Sequence, residues 1–220
     1  QSREDLYAKV WLKHDGQALY VAWDVTDDVL YGFDTPRHLP AGNANAHALT
    51  REGLPWYGHG VELLVNASYE WRPESNAIAA GTGASFMMVA SNHKSQLGGL
   101  GVGGLMLGEP RSSDIAMENY ERWTRNGDME AVVRQKDKAT EGSGYVIEWR
   151  VNANPCLEVL PGEFWTPDMG AVPMGLNITV ADLDEESIGG FHHEDWWAGE
   201  RGDRIRLWQF GTMVMVPGPK

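Results

Sequence analysis

The chemistry this chain can offer starts with its tryptophans, 10 of them against 5 phenylalanines in 220 residues. An indole is costly to bury because its N–H needs a partner, so about six should pack in the core and about two to four should lie on a surface or in a cleft. Trp56 stands six residues before Glu62. An indole offers a flat, polarizable face to the C–H groups of a pyranose, and a carboxylate accepts two of the ring's hydroxyl protons. Apolar walls carrying a few placed polar groups are the general design of small-molecule sites. The plainer alternative is a core tryptophan beside a glutamate on an exposed sheet face. A second aromatic and polar run is Phe191-His192-His193-Glu194-Asp195-Trp196-Trp197. Neighbours on a strand point to opposite faces, so at most one of Trp196 and Trp197 need line a site.

The acids form their own groups: Asp24, Asp27 and Asp28, then Asp182, Asp184, Glu185 and Glu186. Calcium takes about six to eight oxygen ligands in flexible geometry, which such groups suit. Asp24, Asp28, Asp182 and Asp184 are the candidate ligands of a structural Ca2+, with a solvated acidic face as the alternative. His192 and His193 are adjacent and diverge on a strand, a poor zinc chelate. Paired carboxylates hydrolyse glycosides when a fold places them, but no motif places a pair here. Neither Gly-x-Ser-x-Gly nor His-Glu-x-x-His occurs. The glycine-rich stretch 97–108 lacks the Lys-Ser or Lys-Thr of a phosphate loop and is expected to be a loop permitting a close turn or backbone approach. The single cysteine, Cys156, cannot form an intrachain disulfide and reads as a small, partly buried side chain.

The elements that must position these groups are strands. Leu6, Ala8, Val10 and Leu12 alternate with polar or outward positions; His14-Asp15-Gly16-Gln17 supplies a turn; Leu19, Val21, Trp23 and Val25 alternate again. Two such runs about a turn read as a hairpin. Val61–Val65, Phe86–Ala90, Met129–Arg134, Gly144–Val151, Met174–Val180, Arg204–Trp208 and Phe210–Val216 are further strand candidates. Tyr145, Ile147, Trp149 and Val151 share one face, as do Met174, Leu176, Ile178 and Val180. No convincing amphipathic helix and no fixed-period repeat is present. Many short strands with turn-rich joins predict an all-β fold, an antiparallel β-sandwich with long loop insertions. Residues 1–220 are expected to form one domain, its long excursion at 32–56 walling a site.

With 31 acidic and 18 basic residues the net charge is −13. That surface repels phosphate backbones and anionic headgroups, so nucleic acid is not an expected partner. No run of 18 apolar residues is present, so no membrane span is expected.

Several pieces in order resemble carbohydrate-binding module family 9. They are Leu19-Tyr20-Val21-Ala22-Trp23-Asp24-Val25-Thr26-Asp27-Asp28, then Trp56-Tyr57-Gly58-His59-Gly60-Val61-Glu62-Leu63-Leu64, then Gly144-Tyr145-Val146-Ile147-Glu148-Trp149. Gly175-Leu176-Asn177-Ile178-Thr179-Val180-Ala181-Asp182 and Gln209-Phe210-Gly211-Thr212-Met213 complete the set. The resemblance implies an aromatic clamp on a sugar ring, with Trp56 as one wall and Glu62 binding hydroxyls. It puts the second wall shortly before the closing strand, at Trp197 first, then Trp196, with Trp208 assigned to the core. Asn177 or Arg201 would help orient the ring. Phe86-Met87-Met88 stands where the family has a polar or basic residue after the Phe, and Thr179 where it has a Gln, so the hydroxyl-binding set differs. Structural calcium is common in the family.

The expected function is therefore non-catalytic binding of an oligosaccharide or polysaccharide. The protein is expected to be secreted, extracellular or periplasmic, as a monomer or as part of a larger chain that carries or partners a carbohydrate-active enzyme. The rival is a haem b electron-transfer domain of the same fold type, with Met87 or Met88 as an axial ligand. Lysine is scarce after Lys138, with only Lys220 remaining, which weighs against a Met–Lys ligand pair. A glycoside-cleaving enzyme is the third class.

Overall fold

The computed structural model describes residues 6–28, 60–67, 69, 85–90, 100–103, 126–160, 162–182, 193–197 and 211–216. The 32–56 excursion and the strand expected at 204–208 lie outside the described residues, as do Trp56, Asp184 and Arg201.

Twelve strands are described: β1 Leu6–His14, β2 Ala18–Asp27, β3 Gly60–Asn66, β4 Ser85–Ala90, β5 Leu100–Gly103, β6 Met129–Gln135, β7 Gly144–Asn152, β8 Glu158–Leu160, β9 Glu163–Phe164, β10 Val172–Asp182, β11 His193–Trp196 and β12 Gly211–Met215. A first sheet runs β1-β2-β7-β6, and a second runs β11-β10-β3-β4-β5 with β12 also on β10. β8 and β9 make a small hairpin, and all of these pairs are antiparallel. The fold is an all-β antiparallel sandwich, as the alternation predicts. Two strands lie where a loop was expected. β5 runs through the glycine-rich stretch, where four backbone positions pair with β4 despite a composition that disfavours strands. β11 occupies the His-Glu-Asp-Trp run, which carries no apolar alternation to mark it.

The alternation decides what is buried. Leu19, Val21, Trp23 and Val25 of β2, with Tyr145, Ile147, Trp149 and Val151 of β7, face Val61, Leu63 and Val65 of β3 and Met174, Leu176, Ile178 and Val180 of β10. These side chains form one core between the sheets. Trp23 meets Trp149 edge to face, with centroids 4.9 Å apart at 69°, a geometry that suits the ring quadrupoles. Cys156 is fully buried and sits 3.8 Å from the Asp128 carbonyl.

Local polar contacts close the hairpins. Asp15 Oδ1 accepts the backbone N–H of Gln17 at 2.8 Å and of Ala18 at 2.9 Å, while the Tyr20 hydroxyl donates to Oδ2 at 2.8 Å. These bonds, the Gln17 N–H first, hold the Asp15 carboxyl down from 3.8 to about 2. Between β6 and β7, Arg134 grips Glu141 bidentately at 2.7 and 2.9 Å, and the Asp137 N–H adds a bond at 3.0 Å. Arg134 is the main reason that Glu141 falls from 4.5 to about 2. Gly144 lies at φ +136, and a Cβ there would run into the Val25 carbonyl oxygen.

Both carboxyls have folded values below their unfolded ones, so their stabilisation is complete above about pH 4.5 and fades as pH falls toward 2. A double variant, Asp15→Asn with Glu141→Gln, should flatten the decline of Tm between pH 4.5 and 2; a curve parallel to wild type would refute the assignment. Gly144→Ala should cost about 1–3 kcal/mol through backbone strain alone, read as a lower urea midpoint.

Candidate functional site

β10 has two faces. Met174, Leu176, Ile178 and Val180 enter the core, so Asn177 and Thr179 belong to the outer face, away from the first sheet. Both are nonetheless 0 % exposed. Asn177 Oδ1 accepts the Ile178 N–H at 2.9 Å. Thr179 Oγ1 is buried with no hydrogen-bond partner among the described residues. A polar group in that condition costs stability unless something else meets it.

The register assembles a row around Thr179. It stands opposite Glu62 of β3 on one side and Trp196 of β11 on the other, and Glu62 stands opposite Val89 of β4. Directly paired residues of antiparallel strands share a face. Positions 196, 179 and 62 therefore form one line on the outer face, about 10 Å long from strand spacing. Such a line brings positions 196, 179 and 62 into register, with Thr179 between them sealed from solvent.

Trp197 falls differently. Its backbone N–H donates to the Ile178 carbonyl at 2.9 Å, continuing the β11 register. That puts it level with Ile178, at the edge where β11 ends and β12 takes over pairing with β10. The side chain is 58 % exposed, and its six-membered ring fills the place that a Cβ of Gly211 would occupy. The adjacent tryptophans thus separate: position 196 joins the Glu62 row, and Trp197 lies on the Ile178 side of the sheet edge.

One neighbour was missed by sequence reasoning. Tyr69, just beyond β3 and 38 % exposed, bonds its hydroxyl to Thr212 Oγ1 at 2.9 Å. Thr212 follows Gly211 and pairs with Gly175 on the outer face. Two exposed aromatics therefore touch consecutive residues at the start of β12. Tyr69 stands near the start of the mostly polar segment 67–82, which shows no alternation; an aromatic just past a strand end is the only hint.

Of the candidate metal ligands, Asp184 lies outside the described residues and the other three fall on different parts of the two sheets. Asp24 makes an ion pair with Lys136 on the outer face of the first sheet, Asp28 follows β2, and Asp182 ends β10 in the second sheet. Among the described residues no group of three or more His, Cys, Asp or Glu could hold a metal ion. Met87 and Met88 are consecutive on β4 and pair with Leu64 and Leu63, so their positions fall on opposite faces of the sheet.

No protein-family model matches this sequence, and no curated protein matches it. Among solved structures, the chain is similar to a carbohydrate-binding module family 9 from Caldicellulosiruptor kristjanssonii in complex with glucose. The TM-score is 0.54 at 14% identity, over 94% of this chain and 75% of that one. A likeness at that identity establishes the fold, the antiparallel β-sandwich described above. No helix among the described residues is long and apolar enough to cross a membrane.

Gly211→Val should drive the Trp197 ring from its seat and lower stability by about 1–3 kcal/mol, as overpacking does. The near-UV circular dichroism of the tryptophans should change with it. An unaltered spectrum would mean that the ring does not rest there.

Proposed function

We propose that this chain is a non-catalytic carbohydrate-binding module that works beside a carbohydrate-active enzyme outside the cytoplasm. The observation that carries this reading is Trp197. Trp23, Trp149 and Trp165 are at most 2 % exposed, whereas Trp197 stands 58 % exposed and seated against Gly211. A large apolar ring held in solvent needs a reason, and a fixed one is pre-organised for stacking at little entropic cost. Across the same sheet edge, on the opposite face, runs the row of positions 62, 179 and 196. The likeness to a carbohydrate-binding module of the same fold supports the same reading.

The mechanism is binding without bond making. The C–H face of a pyranose lies on an indole and releases water from both surfaces. Trp56, six residues before Glu62, supplies the opposing wall. The Glu62 carboxylate accepts two sugar hydroxyls in the charge-assisted manner, and Arg201 orients the ring. Asn177, sealed from solvent, serves by fixing the β10 backbone through its bond to the Ile178 N–H. Neutral glycans suit a surface of net charge −13 that repels dense polyanions.

A glycan array followed by titration calorimetry with the best neutral oligosaccharide tests the proposal. Trp197→Ala should weaken binding at least tenfold, about 1.4 kcal/mol, because stacked aromatics dominate such sites. Trp56→Ala should do the same. Equal affinity in Trp197→Ala would remove that ring from the site, and an array with no neutral glycan bound would overturn the function.

A further inference from the structure

The opposite side of the sandwich carries a second aromatic surface. On β1, Leu6, Ala8 and Val10 pack toward the core, so Lys9, Trp11 and Lys13 alternate on the outer face of the first sheet. Trp11 is 53 % exposed. It pairs across the hairpin with Ala22, whose small side chain leaves room beside the indole. Lys13 pairs with Tyr20, which is 37 % exposed. Trp11 and Tyr20 are thus diagonal neighbours, about 7–8 Å apart. The Tyr20 hydroxyl is held by Asp15 at 2.8 Å, which fixes that ring too.

The cations on this strand are uncommitted. Arg134, Lys136 and Arg150 are each ion-paired, whereas Lys9 and Lys13 have no ion pair among the described residues. Lys9 does stand opposite Asp24, but that carboxylate is engaged by Lys136. β1 is the edge of its sheet, and lysines are an ordinary protection of open edges. That role explains the lysines and not the indole between them, since an exposed tryptophan adds apolar surface where an edge should shed it. Two free ammonium groups, about 14 Å apart by strand rise, flanking aromatic rings form a complement to spaced negative charges on a chain of apolar-faced rings.

We propose that the outer face of the β1–β2 hairpin is a second binding surface, separate from the Trp197 site, for an acidic polysaccharide whose sugar rings bear carboxylates. The choice of a glycan rests on the carbohydrate reading above. The choice of an acidic one rests on Lys9 and Lys13. A uronate chain places one charge per ring and leaves the ring faces free to stack on Trp11 and Tyr20.

Native electrophoresis of the full chain through gels containing polygalacturonate, and separately through gels containing a neutral β-glucan, tests this. Wild type should be retarded by polygalacturonate, less so as salt rises. Trp11→Ala should weaken that retardation at least fivefold, and so should Lys9→Gln combined with Lys13→Gln. Both changes are at exposed positions, and an unchanged Tm will confirm the fold. Trp197→Ala should leave polygalacturonate binding intact while reducing binding of the neutral glycan. No retardation of wild type by polygalacturonate overturns the proposal, as does full retardation of Trp11→Ala. Loss of both ligands in Trp197→Ala overturns it too, because one site then serves both. So does self-association of wild type that Trp11→Ala abolishes, since the face is then an interface between copies. Failure of the neutral glycan alone counts against the Trp197 site and not against this surface.

Discussion

Strand β10 is hydrogen-bonded along both edges, and its register sets both the core and the site. It meets β3 over Gly175–Ala181 on one edge, and β12 then β11 on the other. Its alternation sends Met174, Leu176, Ile178 and Val180 inward and leaves Asn177 and Thr179 on the outer face. A slip of one residue would exchange those sets, burying an amide and a hydroxyl in hydrocarbon and taking four apolar side chains out of the core. The cost of that exchange holds Glu62 and Trp196 level with Thr179. The site is precise because the core is intolerant.

The tryptophans divide by what lies opposite them. Trp23 and Trp149 meet each other between the sheets. Trp165 takes the edge of His14, with centroids 5.2 Å apart at 78°, and His14 Nε2 in turn lies 2.8 Å from the Val216 carbonyl. That contact ties the end of β1 to the end of β12, so a buried ring braces the first and last strands together. Trp197 has Gly211 beneath it, at the point where β11 hands β10 over to β12. Trp11 has Ala22 at its side on an open sheet face. The same side chain is cement in one place and a contact surface in another, and the face or edge of the sheet it occupies makes the difference.

Much of the scaffold was legible because period two is a strong signal wherever one face of a strand is buried. Leu19 to Val25, Tyr145 to Val151 and Met174 to Val180 each read as strands and each proved to line the core. The alternation Leu6, Ala8, Val10 also implied an outward Trp11, although a pattern read for its apolar face draws attention away from the other one. β5 was not legible, since glycines carry no side-chain pattern and pair through the backbone alone. Nor was Tyr69, whose partner Thr212 lies 143 residues further along the chain.

The sequence by itself determined which side chains share a face of each strand, because that follows from local backbone geometry and needs no partner. It also determined the acidic net charge of −13. Only the tertiary structure decided which strands lie side by side, since backbone hydrogen bonds are the same for every pairing and long-range packing selects among them. That selection placed position 196 in line with Glu62, set Trp197 over Gly211, and left Trp11 between two lysines on an open face.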